Sequence, residues 1–227
     1  TYTSGRVTNI TKNHNGRGKC QSRNLCIRGC PYGAYFSSNS STRPAAEATG
    51  NMTLKTDSIV HSIIYDDEKN KATGVRVLDS ETLEMTEYYA RIIFLNASTI
   101  NSTLIMLNSK SRRFPNGFGN DSGELGHNIM DHHFKAGARA QIDGYEDYYY
   151  HGNRPANGYL ARFRNLGNEK MNYLRGFGYQ GGAIRGGWVN SGEAAFTGEN
   201  LLKSASTPGG WTMNLLGFGE ILPYHDN

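Results

Sequence analysis

Long apolar runs are missing from this chain. The longest extends only from Ile92 to Leu95, far short of the roughly 20 residues that cross a bilayer as a helix, so no transmembrane segment is expected. Runs of Lys and Arg are missing too, and a net charge of +4 is mild, which removes nucleic acid from the expected partners. No signal-peptide pattern opens the chain. Proline is scarce, with 6 residues, and cysteine scarcer, with 3; an odd number of thiols cannot all pair as disulfides. The chain starts on Thr1-Tyr2-Thr3 without an initiator methionine and stops on Tyr224-His225-Asp226-Asn227. Both ends read as cut from a longer polypeptide, whose remaining parts would then be partners of this one.

Glycine (28) and tyrosine (14) are abundant, and Asn, Ser and Thr are plentiful. The aromatic content is too high for disorder, so a loop-rich globular chain of one or two domains is expected. The patterning reads as α+β. Residues 1–19 are polar, and a helix is expected over 37–49, stopped by Gly50-Asn51. From Met52 the apolar period becomes two, through Ile59, Ile63 and Ile64, then Gly74 to Leu78, then Glu84 to Tyr89, a β-meander. Ile92 to Leu95 reads as a strand buried on both faces. An amphipathic helix is expected over Thr99 to Asn108, capped by Ser98 or Thr99. A small-residue turn between such a strand and helix is a common place for a cofactor. Residues 110–123 read as a loop and Glu124 to His132 as a short helix or turn. Beyond a boundary near Asp131, strands are expected at 134–142, 159–165, 171–179 and 211–222, with a short helix within 189–207, giving a mostly antiparallel sheet. Sequons at Asn9, Asn39, Asn51, Asn96, Asn101 and Asn120 are no more than this composition produces by chance.

All three cysteines, Cys20, Cys26 and Cys30, fall in one C-x5-C-x3-C-P loop. Three thiolates suit a cluster with three protein ligands, and Cys-Pro ends known bacterial cluster motifs. A disulfide plus a free thiol, or three small buried residues, remain alternatives. Zinc would need a fourth ligand, for which His14 is the nearest candidate. Gly176 to Gly181 spells G-x-G-x-x-G, yet Gly182-Ala183-Ile184-Arg185-Gly186-Gly187 follows. That continuation is a poor helix, so the stretch is read as strand and loop and not as a dinucleotide fingerprint. In Asp131-His132-His133 the two imidazoles would point to opposite faces of a strand, which disfavours a shared metal. Tyr145 to Tyr150 could stack on a sugar, although an ordinary exposed hairpin explains it more simply. Trp188 and Trp211 are assigned to core or pocket lining.

Three segments together resemble the flavin-dependent glucose–methanol–choline (GMC) oxidoreductases. They are Gly50-Asn51-Met52-Thr53-Leu54 through Val60 to Gly74-Val75-Arg76-Val77, then Ile92-Ile93-Phe94-Leu95-Asn96-Ala97-Ser98, then Gly123-Glu124-Leu125-Gly126-His127-Asn128-Ile129-Met130-Asp131-His132. Gly219-Glu220-Ile221-Leu222-Pro223 resembles the entry to the family's last substrate-domain strands. The family's usual Gly after Ala97 is Ser98 here, and its usual Arg in the third segment is His127. The resemblance implies a fragment of a two-domain fold, with residues 1–130 in an FAD-binding part and 131–227 in a substrate-binding part. It implies FAD contacts at Val60, Asn96, Ala97, Ser98, Asp131 and His132. The resemblance is to the sugar and gluconate dehydrogenase branch, in whose FAD glucose dehydrogenase members three cysteines at this spacing hold a [3Fe-4S] cluster, so it implies Cys20, Cys26 and Cys30 as ligands.

The implied reaction is oxidation of a CH–OH group of a sugar, polyol or sugar acid, with hydride transfer to flavin and electrons leaving to a cytochrome or other acceptor. A bacterial periplasmic location is favoured over a cytoplasmic one. The family's N-terminal glycine loop is absent and its catalytic His pair would lie beyond Asn227, so no residue is assigned as catalytic. Two readings of other classes stand beside this one: a carbohydrate-binding module and a small iron–sulfur electron carrier.

Overall fold

A computed structural model describes residues 1–23, 26, 29–133, 136–148, 157–186, 197–206 and 209–227. Trp188, Tyr149 and Tyr150 lie outside these. The architecture is α+β, mostly antiparallel with few helices. The chain divides into two compact units, Thr1–Met52 with Asp131–Ile221, and Thr53–Met130 with Leu222–Asn227. The cysteine loop, grouped with 53–130 in the sequence reading, therefore shares a unit with the second-half sheet.

The unit around Thr53–Met130 is built on a meander. Strands β2 (Ser58–Asp66), β3 (Lys71–Asp79) and β4 (Met85–Tyr89) pair antiparallel in that order. Asp66 closes the first turn by accepting from the backbone N–H groups of Glu68 and Lys69. Asp79 closes the second in the same way from Glu81 and Thr82. Such Asx geometry satisfies backbone donors that no strand can reach. Gly74 is required where β3 meets β4, because a Cβ there would lie 2.4 Å from the Tyr88 carbonyl oxygen. Helix α2 (Ser98–Asn108) packs on β2, and Ile105 of the helix and Ile63 and Val77 of the sheet are buried. Ser109 joins the two elements. Its oxygen accepts from the Ile63 N–H at 2.7 Å while its hydroxyl donates to the Ile105 carbonyl at 2.6 Å. Tyr65, Phe114 and Phe118 form an edge-on aromatic cluster beside them.

Two expectations fail in this unit. Ile92 to Leu95 forms no strand, and Ile92 and Phe94 are 72% and 82% exposed. A doubly buried strand needs neighbours on both edges, and no described strand flanks this run. The cap of α2 is also different. Its N-cap is Ala97, with no side-chain cap, and Ser98, with a left-handed φ of 69°, is already the first helical residue.

In the other unit, β9 (Trp211–Glu220) is the central strand. The sheet runs β1 (Tyr2–Ser4), β7 (Gly158–Leu160), β8 (Gly178–Arg185), β9, β5 (His132–His133), and β6 (Gly137–Ile142) shares the far edge of β9 with β5. The strand expected at 171–179 sits further on, at β8. The one expected at 159–165 shrinks to β7, and that at 134–142 begins, among described residues, at Gly137. The G-x-G-x-x-G stretch thus enters a strand, as its poor helix propensity required. Gly181 is there for close approach, since a Cβ would fall 1.8 Å from the Asn214 carbonyl oxygen of β9.

The helix expected over 37–49 is shorter, α1 (Thr42–Glu47), because the serines before it close turns on one another instead. Helix α3 (Gly198–Ser206) fills the late helical expectation. Arg185 is buried and donates to the carbonyls of Gly209, Tyr148 and Glu146, lying over the Trp211 ring. Trp211 Nε1 donates to the Tyr145 carbonyl, so both pin the tyrosine-bearing loop to β8 and β9.

Candidate functional site

The cysteine loop is held by backbone bonds. Ile10 donates to Ala34, Cys20 to Ile10, Gly18 to Tyr32 and Phe36 to Thr8. Arg17 clamps its end, donating to the carbonyls of Gly33 and Ala34 and to the Ser41 hydroxyl. Gly29 and Gly33 both have positive φ, which explains glycine on either side of Cys30.

All three thiols are free and half-buried. Cys20 Sγ receives N–H groups from the Asn9 amide and the Ser22 backbone. For Cys30, burial pushes the thiol pKa up, but the backbone N–H groups of Tyr35, Tyr32, Ala34 and Gly33 outweigh it and the net shift is downward. Among the described residues, however, no group of three His, Cys, Asp or Glu side chains is gathered closely enough to hold a metal ion. The arrangement does not fit a three-thiolate cluster, and no electron step is drawn through one. His14, the nearest fourth ligand by sequence, pairs through its main chain with Arg17.

The other expected contact residues divide between the units. Val60 lies on β2, the edge strand of its sheet, next to a register shift that leaves His61 without a partner on β3. Asn96 and Ser98 are exposed and Ala97 half-buried at the start of α2. Its first-turn N–H groups are uncapped by any side chain, and such a terminus favours anions. The left-handed φ at Ser98 falls where the resembling family has glycine, a residue that adopts it without cost.

Asp131 and His132 belong to the other unit. The Asp131 side chain accepts the His132 N–H at 2.6 Å, and its carbonyl accepts from Ile221. His132 pairs with Glu220 across β5 and β9, and its ring meets Phe218 edge-on at 5.8 Å. His132 also lines a cleft of about 460 Å³ with Arg162, Arg175, Phe177, Phe218 and Glu220, within the volume range of small-molecule sites. Arg175 bonds Glu220 at 2.7 Å. That contact, then the Arg175 charge, holds the Glu220 carboxyl below the ordinary range, with His132 and Arg162 adding smaller shares. Arg175 has a left-handed φ of 63°, which costs a long L side chain about 1 kcal/mol or more. Asn165 secures it, donating to the carbonyls of Tyr173 and Arg175 and accepting the Met171 N–H.

None of Arg162, Arg175 or Phe177 stands out in the sequence. They meet only because β8 and β9 pair and the 161–177 loop folds back on them. The only hint in the sequence is the glycine after Arg175.

The chain is an α+β protein, mixed and mostly antiparallel, with a cleft on the sheet of one unit and an uncapped helix start in the other. The family model for GMC oxidoreductases matches residues 4–134, more than half of the chain, and the chain belongs to that family, whose membership implies FAD. It is similar to a 2-methyl-1,2-propanediol dehydrogenase of Mycolicibacterium austroafricanum, 26% identical over 227 residues, covering 96% of this chain and 40% of that protein. It is also similar to a fructose dehydrogenase large subunit of Gluconobacter japonicus, 26% identical over 122 residues, covering 52% of this chain and 21% of that protein. The chain thus spans two fifths or less of the length of these relatives. No helix among the described residues is long and apolar enough to cross a membrane.

Proposed function

We propose that the chain is part of an FAD-dependent oxidoreductase that oxidises a CH–OH group of a sugar, polyol or sugar acid. The observation that carries this reading is the family match over residues 4–134. Bound FAD would supply the hydride acceptor. The candidate contacts within residues 53–130 are Val60 on the edge strand β2 and Asn96, Ala97 and Ser98 at the uncapped start of α2; in the other unit the candidates are Asp131 and His132. In this reading residues 1–130 would belong to the FAD-binding part and 131–227 to the substrate-binding part. No residue here is assigned to take the hydroxyl proton. The exposed apolar run at Ile92 and Phe94 is a surface for the remaining parts of the same polypeptide.

Both relatives are named dehydrogenases, which favours electron transfer to a cytochrome or other acceptor over oxygen, and a periplasmic location accords with that. The test is an absorption spectrum of the full-length protein. Flavin bands that bleach anaerobically on addition of a sugar or diol are expected, and a well-folded full-length protein without flavin would overturn the reading. The same spectrum judges the cysteines, because additional visible absorption lost in Cys26→Ser would restore the cluster that the arrangement of the thiols does not support.

A further inference from the structure

The cleft lined by His132 holds more cationic charge than its carboxylate balances. Arg175 is matched by Glu220 at 2.7 Å. Arg162 is matched by no carboxylate among the described residues; its guanidinium donates to the main-chain carbonyls of Arg164 and Asn165. Carbonyl dipoles orient a guanidinium without cancelling its charge.

Both arginines are deliberately placed. The side chain of Arg162 lies across Gly176, where a Cβ would come within 2.5 Å of its Cδ and Nε. Arg175 is kept in a left-handed backbone conformation that glycine would adopt freely, and the Asn165 side chain bonds its carbonyl. Backbone strain retained at a long charged residue points to a use for its side chain. The rings of Phe177 and Phe218 supply an apolar wall beside the two cations, and Phe177 is itself braced edge-on by Phe163 and Tyr179. Two guanidiniums, both exposed, and one carboxylate leave this cleft with a net positive charge beside an aromatic wall.

We propose that Arg162 and Arg175 receive the anionic oxygen group, a carboxylate or phosphate, of a ligand bound in this cleft. Fork-shaped donors suit either group in bidentate fashion, and the cleft of about 460 Å³ accommodates a ligand of sugar-acid size. The group has two sources. It is the carboxylate of the substrate, in which case this inference rests on the alcohol-oxidation reading and narrows its substrate to polyhydroxy acids, or it is the pyrophosphate of the flavin.

Calorimetric titration of the full-length protein separates these. Gluconate, its uncharged counterpart glucitol, and inorganic pyrophosphate serve as probes, and FAD affinity is followed in parallel by fluorescence quenching. A carboxylate site binds gluconate at least tenfold more tightly than glucitol. There Arg162→Gln removes that preference and leaves FAD affinity unchanged. A phosphate site binds pyrophosphate in competition with FAD, and Arg162→Gln weakens FAD at least tenfold. In both cases Arg175→Gln acts in the same direction, and Glu220→Gln, which removes the competing carboxylate, tightens the anion several-fold.

Anion affinities that change less than twofold in Arg162→Gln and Arg175→Gln, or that fall in Glu220→Gln, overturn the proposal. These are binding measurements, so they decide it even if the flavin is reduced by no alcohol. Conversely, flavin bleaching by neutral polyols with no anion effect would leave the oxidoreductase reading standing alone.

Discussion

Replacing Ser109 by alanine should loosen the joint between α2 and the meander far more than its size suggests. Ser109 is 2% exposed, and Ile63, whose N–H it accepts, is 6% exposed. The substitution removes two short bonds at once, from the Ile63 N–H at 2.7 Å and to the Ile105 carbonyl at 2.6 Å. The Ile105 carbonyl lies in the last turn of α2, where the Ser109 N–H turns to Met106 instead, so it too loses the Ser109 hydroxyl as a partner. The Ile63 N–H loses its only recorded acceptor, and water does not reach it. A buried donor left unpaired costs about 1–3 kcal/mol, so a destabilisation of about 2 kcal/mol is expected. For contrast, breaking the exposed Arg43–Glu47 pair of α1, at 2.9 Å, should cost under about 0.5 kcal/mol.

Urea unfolding of the full-length protein measures the first quantity, and amide hydrogen exchange reads the Ile63 N–H directly. Loss of protection at Ile63 should accompany the shift in midpoint, with the slope unchanged. A midpoint shift equivalent to less than about 0.5 kcal/mol, with Ile63 still protected, would refute the view that this hydroxyl joins helix to sheet.

Ser98, held at a left-handed φ of 69°, gives a paired test. Ser98→Gly should leave stability equal or raise it by up to about 1 kcal/mol, and Ser98→Val should lower it, since a β-branched residue tolerates that conformation worst; thermal unfolding decides, and a less stable glycine variant counts against the strain. Asp79 provides the pH dependence. The backbone N–H groups of Thr82 and Glu81 hold its carboxyl below the ordinary range. The unfolded chain therefore takes up this proton first as pH falls, so the stabilisation is present above the ordinary carboxylate pKa and is lost as pH drops through the lower folded value. Denaturant midpoints measured across the acidic range should fall less steeply in Asp79→Asn, and identical slopes would contradict the assignment.

How much was legible in the chain follows from the range of each interaction. The meander from Ser58 to Tyr89 and the helix ending at Asn108 rest on period-two and period-3.6 patterns and on Asp-bearing turns, all local. The rejection of Gly176 to Gly181 as a nucleotide loop rested on local helix propensity, and the structure places that stretch in β8. Ile92 to Leu95 misled because an apolar run states only that burial is wanted and not what supplies it. The cap at Ser98 misled because residue type shows a hydroxyl and not the sign of φ. The cysteine spacing places three thiols within one loop, yet gathering them on one ion depends on side-chain directions that spacing does not contain.

What the sequence determined by itself was the α+β class, the meander with the helix that follows it, and the family, because these are carried by short-range patterns and by residues in fixed order. The cleft of Arg162, Arg175, Phe218 and Glu220 was decided only by tertiary structure. Its members come from separate stretches of chain, and their charges acquire meaning from the pairing of β8 with β9, from the missing Cβ of Gly176 and from the Asn165 amide that secures Arg175.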